Sequence, residues 1–163
     1  MIRSLLRNGF SIDTLIGLCA SAFVVFCTLP IHEYAHALVA TKLGDDTPRL
    51  SGRLTLNPLA HIDIMGAVMI LLVGFGYAKD VPVNPRNFKN PKAGMALTAA
   101  AGPASNLIMS VIFILLSNIS FVIYCKTNDS IVARVAFLFF FYAAMINISL
   151  AVFNLIPIPP LDG

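Results

Sequence analysis

The sequence predicts an all-α membrane protein: a bundle of about four transmembrane helices, one of them short or re-entrant, with a small β-strand or hairpin element near residues 50–57. Three observations predict it. Hydrophobic residues make up 58% of the chain and charged ones 12%, where a soluble domain carries about 25% charge. Mean hydropathy is +0.84. Several apolar runs approach the ~20 residues that cross a bilayer as a helix. With 163 residues there is room for one membrane-embedded core, 1–163, and no attached soluble domain. The net charge of +3 is spread through loops without the basic cluster that nucleic-acid binding needs, so no nucleic-acid partner is expected. Cys19, Cys27 and Cys125 are scattered in or beside apolar stretches, where they serve as small fillers.

The first helix is predicted over 11–41. Arg3 and Arg7 precede its apolar stretch as in a signal peptide, but the stretch runs on to Ala40, farther than a cleaved leader needs. Pro30 should kink it or loosen one turn just before the histidines. Gly44-Asp45-Asp46-Thr47-Pro48 then returns the chain to water. Leu50, Gly52, Leu54 and Leu56 alternate with Ser51, Arg53, Thr55 and Asn57, which is strand periodicity. A second helix over 64–77 is short for a full span. The stretch 79–92 carries Pro82, Pro85 and Pro91 with four cations and reads as a polar loop. A third helix is predicted over 94–121, with Ala96, Ala99, Ala100, Gly102 and Ala104 suited to close helix packing. A loop follows over 118–130, and a fourth helix over 131–155. Arg3, Arg7, Lys79, Arg86, Lys89 and Lys92 would then face Lys42, Arg49, Arg53, Lys126 and Arg134 across the membrane, too even a balance to orient the chain.

His32-Glu33-Tyr34-Ala35-His36 carries the chemistry. Histidines four apart on a helix lie about 40° apart around the axis and about 6 Å along it, so both can meet one metal ion. Glu33 is turned about 100° from His32, outside the ligand pair yet able to reach a water activated there. Zinc lowers the pKa of such a water to about 7, and the carboxylate can accept its proton and later deliver it to a leaving amine. Glu33 is the only glutamate in the chain, and two of the three histidines are in the motif. Ionisable groups in apolar sequence are costly and default to function. A catalytic zinc needs a third protein ligand. Asp162, Asp63, His61 and Asp13 are candidates, and spacing alone does not choose between Asp162 and the His61/Asp63 pair.

Three features together resemble the site-2 protease family of intramembrane zinc metalloproteases. They are His32 to Ala37, the Ala101-Gly102-Pro103-Ala104-Ser105-Asn106 run, and Asn154-Leu155-Ile156-Pro157-Ile158-Pro159-Pro160-Leu161-Asp162-Gly163. The stretches from Leu54 to Asp63 and from Pro82 to Phe88 also resemble its compact bacterial and archaeal members. The resemblance implies one Zn2+ per chain with Asp162 as the third ligand, Glu33 as catalytic base, and Asn106 and Asn154 lining the site to hold substrate backbone or oxyanion. It implies a transmembrane protein or peptide as substrate, cut within or near its membrane segment in regulated intramembrane proteolysis, and a prokaryotic cytoplasmic membrane as location. The alternating 50–56 segment would receive the unwound substrate as an added strand. Two departures stand out. Ile64 replaces a proline usual after Asp63, and the chain ends at Gly163 where relatives continue, so a core truncated after the Asp-Gly motif is expected. The oligomeric state is open. The rival readings are a membrane zinc protease of another family, a membrane metal transporter or sensor, and an inactive homologue that binds transmembrane segments.

Overall fold

The computed structural model describes residues 11–61, 63, 65, 68–69, 79–127 and 130–156. Three long helical rods organise them, and each is long and apolar enough to cross a membrane: Ile12–Lys42, Pro91–Lys126 and Ile131–Asn154. The helix predicted over 64–77 lies almost entirely outside the described residues.

The first rod begins at α1 (Ile12–Phe23), capped by the Ser11 hydroxyl, which accepts the backbone N–H of Thr14. Asp13 in its first turn complements the positive end of the helix. The rod passes through a π-helical turn, Val24–Thr28, into α2 (Leu29–Lys42). The wide turn sits where Pro30 demands it. A proline ring collides with the carbonyl four residues back and offers that carbonyl no donor, so the turn before it opens. There the Val24 carbonyl accepts both the Leu29 N–H and the Thr28 hydroxyl. Gly44, at φ 107°, ends the rod in a conformation that favours glycine.

The next stretch corrects an expectation. Residues 50–57 form no strand. Leu50 closes a one-turn helix, α3 (Thr47–Leu50). The N–H groups of Gly52, Arg53 and Thr55 then bond back to the carbonyls of Arg49, Pro48 and Arg53, and that of Asn57 to the Thr55 hydroxyl. Alternation makes a strand only where one face meets a core, yet Leu50 and Leu56 are 85% and 58% exposed. Local turns, with Gly52 at φ 68°, win instead. One further turn, α4 (Pro58–His61), follows.

The loop before the second rod is tied down rather than loose. Asp45 is fully buried. Its carboxylate accepts hydrogen bonds from the Asn84 N–H (2.7 Å), the Asn87 side-chain amide (2.6 Å), and the N–H and hydroxyl of Thr47. A 3-10 turn at Pro85–Asn87 follows. Asn90 then caps α5 (Pro91–Lys126), with Pro91 in its first turn. The helix runs past the break expected at Asn118. Ser117 and Ser120 donate to the carbonyls of Phe137 and Leu116, so these polar residues stay helical without a loop.

The last rod, α6 (Ile131–Asn154), packs along α5 and against α1, whereas α2 packs against α5. Val24, Phe113, Ala143 and Ala144 form the buried centre, and the Phe23 ring meets those of Phe113 and Phe139 edge-on at 5.8 and 5.3 Å. Arg134 pairs with Asp13 at 3.3 Å on the exposed rim. Ile108, Leu115, Ile119, Val122 and Val132 lie on the outer faces, more than half exposed for most, as apolar solvent requires.

Candidate metal centre

His32 and His36 rise from one face of α2, 1% and 6% exposed, with Glu33 beside them at 7%. One helical turn separates the two imidazoles. Their ring centroids are 4.7 Å apart and their planes cross at 80°. The Nε2 atoms face each other at 3.1 Å. Two ligands on a tetrahedral zinc, each about 2.0–2.1 Å from the ion, stand about 3.3 Å apart. The pair therefore needs only a few tenths of an ångström to take an ion.

The far side of each ring is held by α5. The His36 Nδ1–H donates to the backbone carbonyl of Thr98 at 2.7 Å. A carbonyl only accepts, so the proton of neutral His36 lies on Nδ1 and its Nε2 carries a lone pair, the form a metal requires. His32 Nδ1 meets the side-chain amide of Asn106 at 2.9 Å. Asn106 is itself 1% exposed, and its other amide atom, Oδ1, has no hydrogen-bond partner. Between these two anchors stands Gly102. A methyl there would overlap His36 Nε2 and lie 2.6 Å from Cε1 and Nε2 of His32. The volume that glycine leaves empty thus adjoins both lone-pair atoms, where an ion bridging them would sit. Thr98, Gly102 and Asn106 follow the four-residue rhythm of a helix face. Pro103 opens this part of α5, because Ala99 loses the donor its carbonyl would have had.

The residues present therefore fit zinc. His32 and His36 supply two buried nitrogens beside the space left by Gly102. Among the described residues no group of three or more histidine, cysteine or acidic side chains converges, and Asp162, the third ligand implied by the resemblance, lies outside the described residues. The other candidates are occupied elsewhere. Asp13 pairs with Arg134, and the Asp63 carboxylate accepts the Met65 N–H at 3.0 Å. His61 is fully buried, and its Nε2–H donates to the Thr55 carbonyl at 2.8 Å. Burial and the nearby Arg53 charge lower the His61 pKa, outweighing the opposing bond to Thr55. The ring is thus neutral, but it does not complete a group of three with His32 and His36. Asn154 is the last residue of α6 and is half-buried. Two contributions were not foreseen from sequence: the Thr98 carbonyl, which as backbone has no residue signature, and the direct grip of Asn106 on His32. The spacing of Thr98, Gly102 and Asn106 was the available signal.

Comparison with known proteins gives two kinds of match. The model of peptidase family M50 matches residues 116–163. YwhC of Bacillus subtilis (strain 168), provisionally named a zinc metalloprotease, is 46% identical over 136 residues, or 82% of this chain and 60% of its own length. Rip2 of Mycolicibacterium smegmatis, provisionally named likewise, is 30% identical over 141 residues, or 83% of this chain and 51% of its own length. Rip2 of Mycobacterium tuberculosis matches to the same extent. The chain thus spans between half and two thirds of these relatives. No solved structure matches it.

Proposed function

We propose that this chain, which matches the model of peptidase family M50 over residues 116–163 and is 46% identical to YwhC over 136 residues, is the core of an intramembrane zinc metalloprotease of the site-2 protease type. It would hydrolyse peptide bonds within or near the transmembrane segments of membrane-tethered proteins, in a prokaryotic cytoplasmic membrane. The observation that carries the reading is the imidazole pair: two Nε2 atoms 3.1 Å apart, buried in an apolar rod, with a glutamate in the same turn.

His32 and His36 would hold the zinc, with Asp162 as third ligand and one ion per chain. Zinc, when bound, supplies Lewis acidity toward a water and a peptide carbonyl. The Thr98 carbonyl and Asn106 amide fix the imidazoles from behind, so the rings keep one orientation through turnover. Glu33 takes the proton of the attacking water and returns it to the leaving amine. Its burial keeps the carboxylate away from bulk water. Asn154, at the end of α6, would hold the backbone of a substrate segment or its oxyanion. That segment must unwind first, because a helical peptide bond is hydrogen-bonded and shielded. The folded backbone of residues 50–57 offers it no open strand edge, so the pairing strand suggested by the alternation is not part of the proposal.

The test is Glu33→Gln. Cleavage of a membrane-spanning peptide in detergent or proteoliposomes should fall below detection, at least 10³-fold, while zinc content stays at one per chain. Residual activity near that of the unsubstituted chain would refute the base. Metal flux into liposomes without peptide cleavage would favour a transporter instead.

A further inference from the structure

Hydrogen bonds join two loops at one end of the bundle. Asp45, just past the end of α2, accepts from the Asn84 N–H and the Asn87 side-chain amide. The His61 carbonyl accepts the Lys79 N–H at 2.8 Å. Residues 42–61 and 79–92 therefore share an end, and cations that the sequence reading set on opposite sides of the membrane come together there. Lys42, Arg49 and Arg53 join Lys79, Arg86, Lys89 and Lys92, and all but the half-buried Arg53 are exposed. None of these exposed cationic side chains has a hydrogen-bond or ion-pair partner among the described residues. With Asp45 buried in its clamp, the acidic side chains left at this end are Asp46, Asp63 and Asp80. The other end, among the described residues, carries Lys126 and an Arg134 paired with Asp13.

The same end exposes apolar side chains. Leu50, Leu56 and Leu59 are each more than half exposed, although they belong to the segment from α3 to α4 and not to a membrane-crossing rod. Water disfavours leucines beside unpaired cations, whereas a lipid headgroup layer suits both. Apolar side chains enter the acyl boundary there, and cations remain among the phosphates. We propose that residues 47–61 and the cations around them form a foot that seats on anionic lipid headgroups, with Leu50, Leu56 and Leu59 dipping into the leaflet. Charge selects the lipid. Lys and Arg collect on the cytoplasmic side of membrane proteins, where the negative surface potential of the leaflet attracts each one. A zwitterionic headgroup offers no such net attraction, and an acidic peptide would satisfy the cations alone and leave the leucines in water. His36 lies six residues before Lys42 on α2, about 9 Å of helical rise, so a seated foot fixes the depth of the imidazole pair beneath the headgroups. The foot stands independently of the metalloprotease reading.

The test reads lipid preference and depth in the full reconstituted chain. Spin-labelled phosphatidylglycerol and phosphatidylcholine are compared for association with the protein in bilayers of the two lipids mixed. Phosphatidylglycerol should be preferred by about fivefold or more, the effect of even one basic side chain at an anionic surface. The preference should fall toward onefold when Lys42, Arg49, Lys89 and Lys92 are all replaced by glutamine. Because four substitutions could disturb the fold, the unsubstituted chain is also taken to molar salt, where screening should erase the preference in the same way. Depth is read separately. The chain has no tryptophan, so Leu50→Trp supplies a single reporter, and lipids brominated in the upper acyl chain should quench it at least about twofold if it enters the leaflet. Equal association of the two lipids, a preference indifferent to salt, or an unquenched reporter with water-like emission overturns the proposal. So does a reporter that responds to an acidic peptide in pure phosphatidylcholine bilayers and not to phosphatidylglycerol, which would make the partner a protein.

Discussion

Gly102 is the residue on which the centre's geometry turns most sharply. A single methyl there would intrude on both imidazoles, and neither ring can retreat, because each is fixed from behind by α5. Gly102→Ala should therefore lose its zinc, from one per chain to near none, and all cleavage with it. The cost to folding should be only about 1–3 kcal/mol of overpacking. Metal analysis of the purified variant, alongside its helix content, checks this. A zinc-replete Gly102→Ala protein would mean that the helices can part to make room. At this scale the meeting of the two imidazoles was legible in sequence, because i, i+4 spacing on an apolar helix dictates where the rings go. The anchors were not, because they come from a helix 62 to 74 residues away and one of them is a backbone atom.

At the scale of elements, the Asp45 clamp decides how the loop before α5 is held. Burial alone would raise the Asp45 pKa, but the bonds from Thr47, Asn84 and Asn87 together outweigh it and hold the carboxyl below its usual value of 3.8. A depressed folded-state pKa contributes stability that is present in full above the unfolded value, about 3.9, and lost as pH falls through the lower folded value. The unsubstituted chain should therefore lose thermal stability below about pH 4, while Asp45→Asn should show a smaller loss there. At neutral pH the variant should be less stable by about 1.5–3 kcal/mol, the worth of bonds to a charged acceptor. Thermal unfolding in detergent across pH 3–7 tests both, and identical profiles would dismiss the clamp. Other elements also departed from sequence expectation for physical reasons. The end of α5 runs to Lys126 because its serines find partners within helices. The alternation over residues 50–57 made no strand because neither face of it meets a core.

At the scale of the whole molecule, the outward faces specify the solvent. Cys19 and Cys27 lie exposed within the first rod, and Cys125 lies exposed one residue before the end of α5. In native membranes a charged, water-soluble maleimide should label Cys125 readily and Cys27 at least tenfold more slowly, because such a reagent does not enter hydrocarbon. Solubilisation in denaturing detergent should equalise them. Equal rates in intact membranes would remove the first rod from the bilayer. The class of fold was legible at this scale from composition and run length alone, since nothing but lipid suits such surfaces. How the rods pair was not, because apolar outer faces look alike whichever neighbour they meet.

The wide turn at Val24–Thr28 has a geometric consequence for the pairing of the rods. Each residue of an α-helix advances its side chain by about 100°, and a π-helical turn spends an extra residue on one circuit. Everything downstream is therefore set on a new azimuth. Ile12–Phe23 keeps its bearing toward α6, and Leu29–Lys42 takes another toward α5. The histidines owe their aim at Gly102 to an indexing step made before the motif begins, so the first rod works as two differently phased halves on one shaft.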